Sequence, residues 1–193
     1  MARPAKFERD EVLEKAMNAF WDRGYCATGV AELGAVTKLR PGSLYGAFKS
    51  KRQLFMEALD RYGQEGVSQV RHTLSDSSSP IRAIRSIFLG LAVDSSGAGW
   101  KRSCFLVNTA LEVARHDKAI RARVNVYFKE IEALFRAAIE RAQEQGELSC
   151  DKNAKAIAAF LIVNIWGLRV LGVTRPSYSR AKMIVSQMLS VLD

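Results

Sequence analysis

TGVAELGAVTKLRPGSLYGAFKSK, residues 28–51, is the stretch whose reading decides the fold. It reads as two short helices joined by a tight turn. Val30, Leu33 and Ala35 give the first an apolar face, and Leu39, Leu44 and Phe48 give the second. Pro41 suits the first position of the second helix, where φ is already helical and no N–H is missed. Two helices of this length cannot bury both faces alone, so they must rest on a third. That is the helix-turn-helix plan, in which the second helix is free to enter a major groove. The charges agree. From Leu33 through Met56 there is no Asp or Glu, but Lys38, Arg40, Lys49, Lys51 and Arg52 all fall there. A basic run is often just a solvated face; here it coincides with the helix pair and with Ser43 and Tyr45, which can also bond phosphates.

The order Thr28-x-Val30, Pro41-Gly42-Ser43-Leu44-Tyr45, Phe48-Lys49-Ser50-Lys51 closely resembles the DNA-binding domain of TetR/AcrR-type transcriptional regulators. At motif level the likeness covers roughly the first quarter of the chain, with several positions at fixed spacing. Two positions depart from the pattern. Lys38 stands where the family usually has a turn glycine, which requires a non-glycine residue at positive φ. Arg40 replaces the usual Ser or Thr cap, weakening the cap and adding a charge at the DNA face. By this resemblance, Thr28, Tyr45, Lys49 and Lys51 hold phosphates, while Arg40 and Ser43, beside Pro41 and Gly42, face the bases or the groove wall. Arg40 is the best candidate for base reading, since a guanidinium can bond guanine O6 and N7 together; contact with phosphate alone is the equal alternative.

Outward from this segment the pattern stays helical. Residues 7–23 form an amphipathic helix, with Val12, Leu13, Ala16, Met17 and Phe20 at helical spacing and Gly24 as its stop. Arg3 and Lys6 ahead of it suit a basic arm. A fourth helix runs from residue 51 to about 70 and connects the reading head to the rest; the polar run LSDSSSP then reads as a loop. Pro80 opens a helix carrying Ile81, Ile84, Phe88 and Leu91. After a loop at residues 94–104 come a helix through 114, a long one over 117–145, a very apolar one over 151–173, and a last over 179–192. Period-two alternation is missing. The expectation is an all-α chain, with a three-helix helix-turn-helix domain at residues 1–50 and a larger helical ligand-binding and dimerisation domain at 51–193.

Composition bounds the function. The chain is 48% hydrophobic and 25% charged, enough for a substantial core, and its net charge of +9 favours an anionic partner. The charged N-terminal stretch does not read as a signal peptide. Residues 156–173 are apolar enough to weigh as a membrane span, but Asn164 and Arg169 interrupt them and a core or interface helix is the expected reading. Cys26, Cys104 and Cys150 are too scattered for a disulfide framework or a metal-binding pair, and a reducing cytoplasm is the expected compartment. His72 and His116 lack ligand or nucleophile neighbours, and phosphate-binding glycine loops are missing. No cofactor, metal or enzymatic activity is expected.

The resemblance further implies a homodimer through the last two helices, with Gly167 and Gly172 allowing close approach. Two reading helices would then lie about 34–36 Å apart on a palindromic, double-stranded operator. It also implies a small molecule in the larger domain that releases DNA. Phe88, Trp100, Cys104, Asn108, Phe128 and Trp166 are the pocket candidates, though aromatics at such spacing also build plain core. Cys104 follows Lys101 and Arg102 at a helix start, conditions that favour thiolate. Its run CFLVNTALE resembles family members that sense thiol-reactive compounds, with Ser103 where they typically have glycine. A small buried apolar residue is the other reading of Cys104. The alternative function is an all-α binding or enzymatic domain without sequence-specific DNA binding.

Overall fold

Val12, Leu13, Ala16, Met17, Ala19 and Phe20 form one buried face, and the segment that carries them, Arg9–Arg23, is helix α1. The computed structural model describes residues 8–96 and 102–193. After α1 come α2 (Val30–Thr37), α3 (Pro41–Phe48), α4 (Lys51–Ser75), α5 (Pro80–Ser96), α6 (Phe105–Glu112), α7 (Lys118–Glu144), α8 (Ala154–Gly172) and α9 (Tyr178–Leu189), closed by a 3₁₀ turn at Ser190–Leu192. No strand occurs among the described residues. The chain is all-α, as its periodicity predicts.

Local chemistry sets most helix ends. Ser50 caps α4 by accepting the Gln53 N–H at 3.0 Å. Asp117 caps α7 by accepting the N–H groups of Ala119 and Ile120, and Asn153 and Ser177 do the same for α8 and α9. The sequence reading ends α4 too early. Thr73 and Ser75 bond back to carbonyls of their own helix, so this polar run continues the helix rather than breaking it. Leu74 then lands in the core against the second half of the molecule. The last helix stops earlier than its apolar pattern suggests, its final turn tightening to 3₁₀.

Packing divides the interior into two clusters. The first joins α1–α4 with α6 and the first half of α7. Its centre is a chain of edge-on rings: Phe20 against Phe55 at 5.1 Å, Phe55 against Phe105 at 5.5 Å, and Phe105 against Tyr62 at 5.7 Å. The second joins the end of α4 with α5, the rest of α7, α8 and α9. Ile131 and Leu134 of α7 border both. A division at residue 50 therefore follows the chain and not the packing, because Leu54, Phe55, Ala58 and Leu59 of α4 fill the first cluster. The two long helices cross at Gly63, where a Cβ would lie 2.5 Å from the Tyr127 ring.

The apolar helix foreseen as core or interface is α8. By length and composition it is sufficient to cross a membrane, yet only 33% of its most apolar stretch is buried. Phe160, Val163, Gly167, Val170 and Val173 are exposed along it at helical spacing, and Met183 is exposed on α9 beside it. Between α8 and α9 lies a groove of about 490 Å³ lined by residues including Phe160, Asn164, Ile184, Met188 and Val191.

Candidate nucleic-acid interface

The second helix of the pair, α3, is held from behind. Leu44 and Phe48 are buried in the first cluster, each contributing about 1.5–3 kcal/mol of burial. The Arg9 guanidinium lies 4.5 Å from the centre of the Phe48 ring. This anchoring leaves Pro41, Gly42, Ser43 and Gly46 exposed along the opposite face, with Arg40 exposed at its head as the N-cap. The Arg40 side chain makes no capping bond, so its guanidinium is available to whatever approaches α3.

Lysines in unusual backbone conformations flank the helix. Lys38 caps α2 at φ 57°, ψ 27°, in the left-handed region that its departure from glycine requires. Lys49 ends α3 at φ 64°, ψ −46°, its N–H donating to the Tyr45 carbonyl at 2.7 Å. Holding a residue with a Cβ there costs on the order of 1–3 kcal/mol. Among the described residues, Lys38, Arg40 and Lys49 form no salt bridge. Three exposed cations thus frame a helix face whose own side chains are small.

Other residues expected here are placed differently. Thr28 is fully buried, and its hydroxyl donates to the Gly24 carbonyl at 2.7 Å, with the Ala19 carbonyl at 3.4 Å. Its hydroxyl is withdrawn from the phosphate donors; it secures the end of α1. Tyr45 is half-buried against the first cluster. Lys51 is half-buried with its ammonium 4.4 Å from the centre of the Tyr25 ring. Arg52, part of the basic run, turns the other way and grips Asp117 through two bonds of 3.0 and 3.1 Å.

The expected effector residues that are described lie along two hydrophobic clusters. Phe88 belongs to the second cluster, fully buried against Phe135, whereas Cys104 and Phe128 border the first. The lone apolar pattern of α5 could not tell those interiors apart. Phe128 and Trp166 pair across α7 and α8 with ring centres 4.5 Å apart. Cys104 is the half-buried N-cap of α6, and Asn108 lies one turn on, its N–H bonded to the Cys104 carbonyl. Burial, followed by the neighbouring Cys104 thiol, drives the Tyr62 phenol far above its ordinary value, so Tyr62 is a neutral hydroxyl beside that sulfur. Also on α6, the Thr109 hydroxyl is buried without a hydrogen-bond partner among the described residues. Trp100, like the Arg3 and Lys6 arm, lies outside the described residues. No cluster of His, Cys, Asp and Glu suited to a metal occurs among them.

Sequence reasoning missed the contacts that tie this interface to the rest of the molecule. The Glu112 carboxylate accepts the Tyr25 and Cys26 N–H groups, and Arg102 bonds Asn18 and Asp22. These partners are 80 or more residues apart, and no local pattern announces them.

Comparison with known proteins bears directly on this geometry. Residues 12–58 match the family described as bacterial regulatory proteins, tetR family. Residues 80–173 match a tetracyclin repressor-like C-terminal domain. An uncharacterized HTH-type transcriptional regulator of Bacillus subtilis, YezE, is 28% identical over 100% of both chains. The HTH-type transcriptional repressor ComR of Escherichia coli is 27% identical over 87% of this chain and 80% of its own. Among solved structures, a cysteine mutant of the TetR family regulator CifR, complexed with 26-bp double-strand operator DNA, superposes with a TM-score of 0.87. It is 30% identical, over 98% of each chain.

Proposed function

We propose, from the premise that this chain belongs to the TetR family of DNA-binding transcriptional regulators, that it is a cytoplasmic, homodimeric repressor of a palindromic operator. Residues 1–50 serve as the reading unit and 51–193 as the regulatory and dimerisation unit. The observation that carries this reading is the exposed face of α3, headed by Arg40 and flanked by Lys38 and Lys49. Arg40, Ser43, Pro41 and Gly42 meet the groove, and Lys49, Lys51 and Tyr45 meet the backbone around it. The apolar stripe on α8 and α9 supplies the surface for a second copy.

The test is selection of DNA from a random library by the purified protein, followed by titration of the selected and scrambled duplexes. Arg40→Ala is expected to lower affinity for the selected site by about 1–3 kcal/mol beyond its effect on scrambled DNA, the discrimination of one bidentate base contact. Equal losses on both duplexes make Arg40 a phosphate contact. Failure to select any sequence removes the operator from the proposal.

The effector is a small molecule or a thiol-reactive compound that favours the non-binding separation of the two reading heads; without that preference it shifts nothing. Support for the second class is the half-buried Cys104 at the head of α6, with the neutral Tyr62 hydroxyl beside it. Phe128, Trp166 and Asn108 serve the first class. Native labelling with iodoacetamide is expected to modify Cys104 and release the selected DNA from the wild type but not from Cys104→Ser. An unreactive Cys104 leaves only the small-molecule reading.

A further inference from the structure

Among the described residues, helix α6 is tied to the reading unit near both of its ends. At its start, the Trp21 indole N–H donates to the Ser103 carbonyl, and the Arg102 guanidinium bonds the side chains of Asn18 at 2.6 Å and Asp22 at 2.8 Å. The Ser103 hydroxyl faces the other way and donates to the Arg169 carbonyl of α8 at 2.9 Å. At its finish, Glu112 accepts the Tyr25 N–H at 3.0 Å and the Cys26 N–H at 2.8 Å, one on each carboxylate oxygen. Those two amides lie in the turn between α1 and α2, immediately behind the helix pair.

The turn is shaped for that carboxylate. Gly24 sits at φ +85°, and a Cβ on it would lie 2.6 Å from a Glu112 oxygen. Only a residue without a side chain combines this conformation with this approach. Just beyond α6, the Arg52–Asp117 pair joins α4 to the head of α7. The Arg52 hydrogen bond, then the α7 N–H groups, holds the Asp117 carboxyl below its usual range, so this second fastening is ionised at neutral pH.

The bonds at the start of α6 reach α1 alone, whereas the two at its far end reach the turn that leads into the helix pair. Successive amides captured by one planar carboxylate define a direction as well as a distance, which adds to the hold of the shared core on that pair. We infer that Glu112 is a positioning residue for DNA recognition: its carboxylate fixes the angle of the helix pair on α6, and through it the separation of the two reading helices. The inference rests on the dimeric reading above. It also gives a change at Cys104 or at α8 a route to the helix pair through α6, beside the ring contacts that α6 makes with α4.

The experiment uses the full-length protein and the DNA it selects, with a series of duplexes in which the half-sites are moved apart or together by single base pairs. Wild type is expected to bind one spacing far better than its neighbours. Glu112→Ala is expected to lose about tenfold on the native spacing, charge-assisted bonds being the strong class, while losing little on the shifted ones. Its spacing profile flattens. Glu112→Gln keeps one acceptor oxygen and is expected to retain part of the preference, and it serves as the test if Glu112→Ala does not fold. Hydrogen exchange at the Tyr25 and Cys26 amides is expected to accelerate in both variants. A spacing profile unchanged from wild type, or a loss equal on every spacing and on scrambled DNA, overturns the positioning role. A wild type with no spacing preference instead removes the dimeric reading, and the inference falls with it.

Discussion

Val163→Asp is expected to give a folded monomer that no longer holds its operator. Val163 is 55% exposed in the single chain, on the α8 stripe that runs from Phe160 to Val173. An aspartate there costs the isolated chain little, because the carboxylate reaches water. In a dimer sealed through α8 and α9, two such charges would face a desolvated apolar seam. Light scattering at micromolar concentration is expected to return the mass of one chain, with helical circular dichroism unchanged. Affinity for the palindromic site is expected to fall by about 10²–10⁴-fold, the factor contributed by a tethered second binding event. Residual binding should be weak and equally sensitive to salt per chain, since the phosphate contacts of each head are intact. A dimer of unaltered mass and operator affinity would falsify α8 as the dimer surface.

The second large effect belongs to stability. Gly63→Ala places a methyl 2.5–2.6 Å from three carbons of the Tyr127 ring, at the crossing of α4 and α7. That ring has little room to move. Tyr127 is buried, and its hydroxyl donates to Asp60 at 2.9 Å, with Asp60 also 3.3 Å from Arg123. Burial, and then the bond to Asp60, pushes the Tyr127 phenol up to about 12, so the donor keeps its proton throughout the neutral range. On intrinsic propensity alone, alanine would stabilise the helix by about 1 kcal/mol. The clash outweighs this, because α4 and α7 must separate or Tyr127 must leave its place, at an overpacking cost of about 1–3 kcal/mol. Urea denaturation is expected to show a net loss, and the melting temperature to fall by about 2–4 °C for each kcal/mol lost. Adding Tyr127→Leu is expected to recover much of the loss, since it removes the obstructing ring. A Gly63→Ala protein as stable as wild type would mean that the two helices are free to adjust at their crossing.

What was legible in the chain, and what was not, separates by distance along it. Leu44 and Phe48 could be placed inward and Pro41 at a helix start because helical period and capping are properties of a few neighbouring residues. The positive φ at Lys38 came instead from the family resemblance, which puts a turn glycine at that position, and Lys38 adopts it at φ 57°. Thr28 was not readable. A threonine after a helix end can offer its hydroxyl to a phosphate or to the preceding turn, and here the last turn of α1 takes it. Arg52 belongs by sequence to the basic run, yet Asp117, 65 residues on, draws it away from the DNA face. Phe88 and Cys104 both looked suited to one pocket, but their helices pack into different interiors.

The sequence by itself determined the helical class, the helix-turn-helix pair and its cationic face, because these follow from side-chain period, caps and charge within some twenty residues. Only the tertiary structure decided which cations remain unpaired, which face of α8 is left bare, and that α6 is bolted to the reading unit at both ends. Those features depend on the angles at which helices pack, and packing angles arise from many side chains meeting across the whole fold. Glu112 illustrates the division. On its own helix it is one polar residue among apolar neighbours; only folding carries the turn after α1 to its carboxylate.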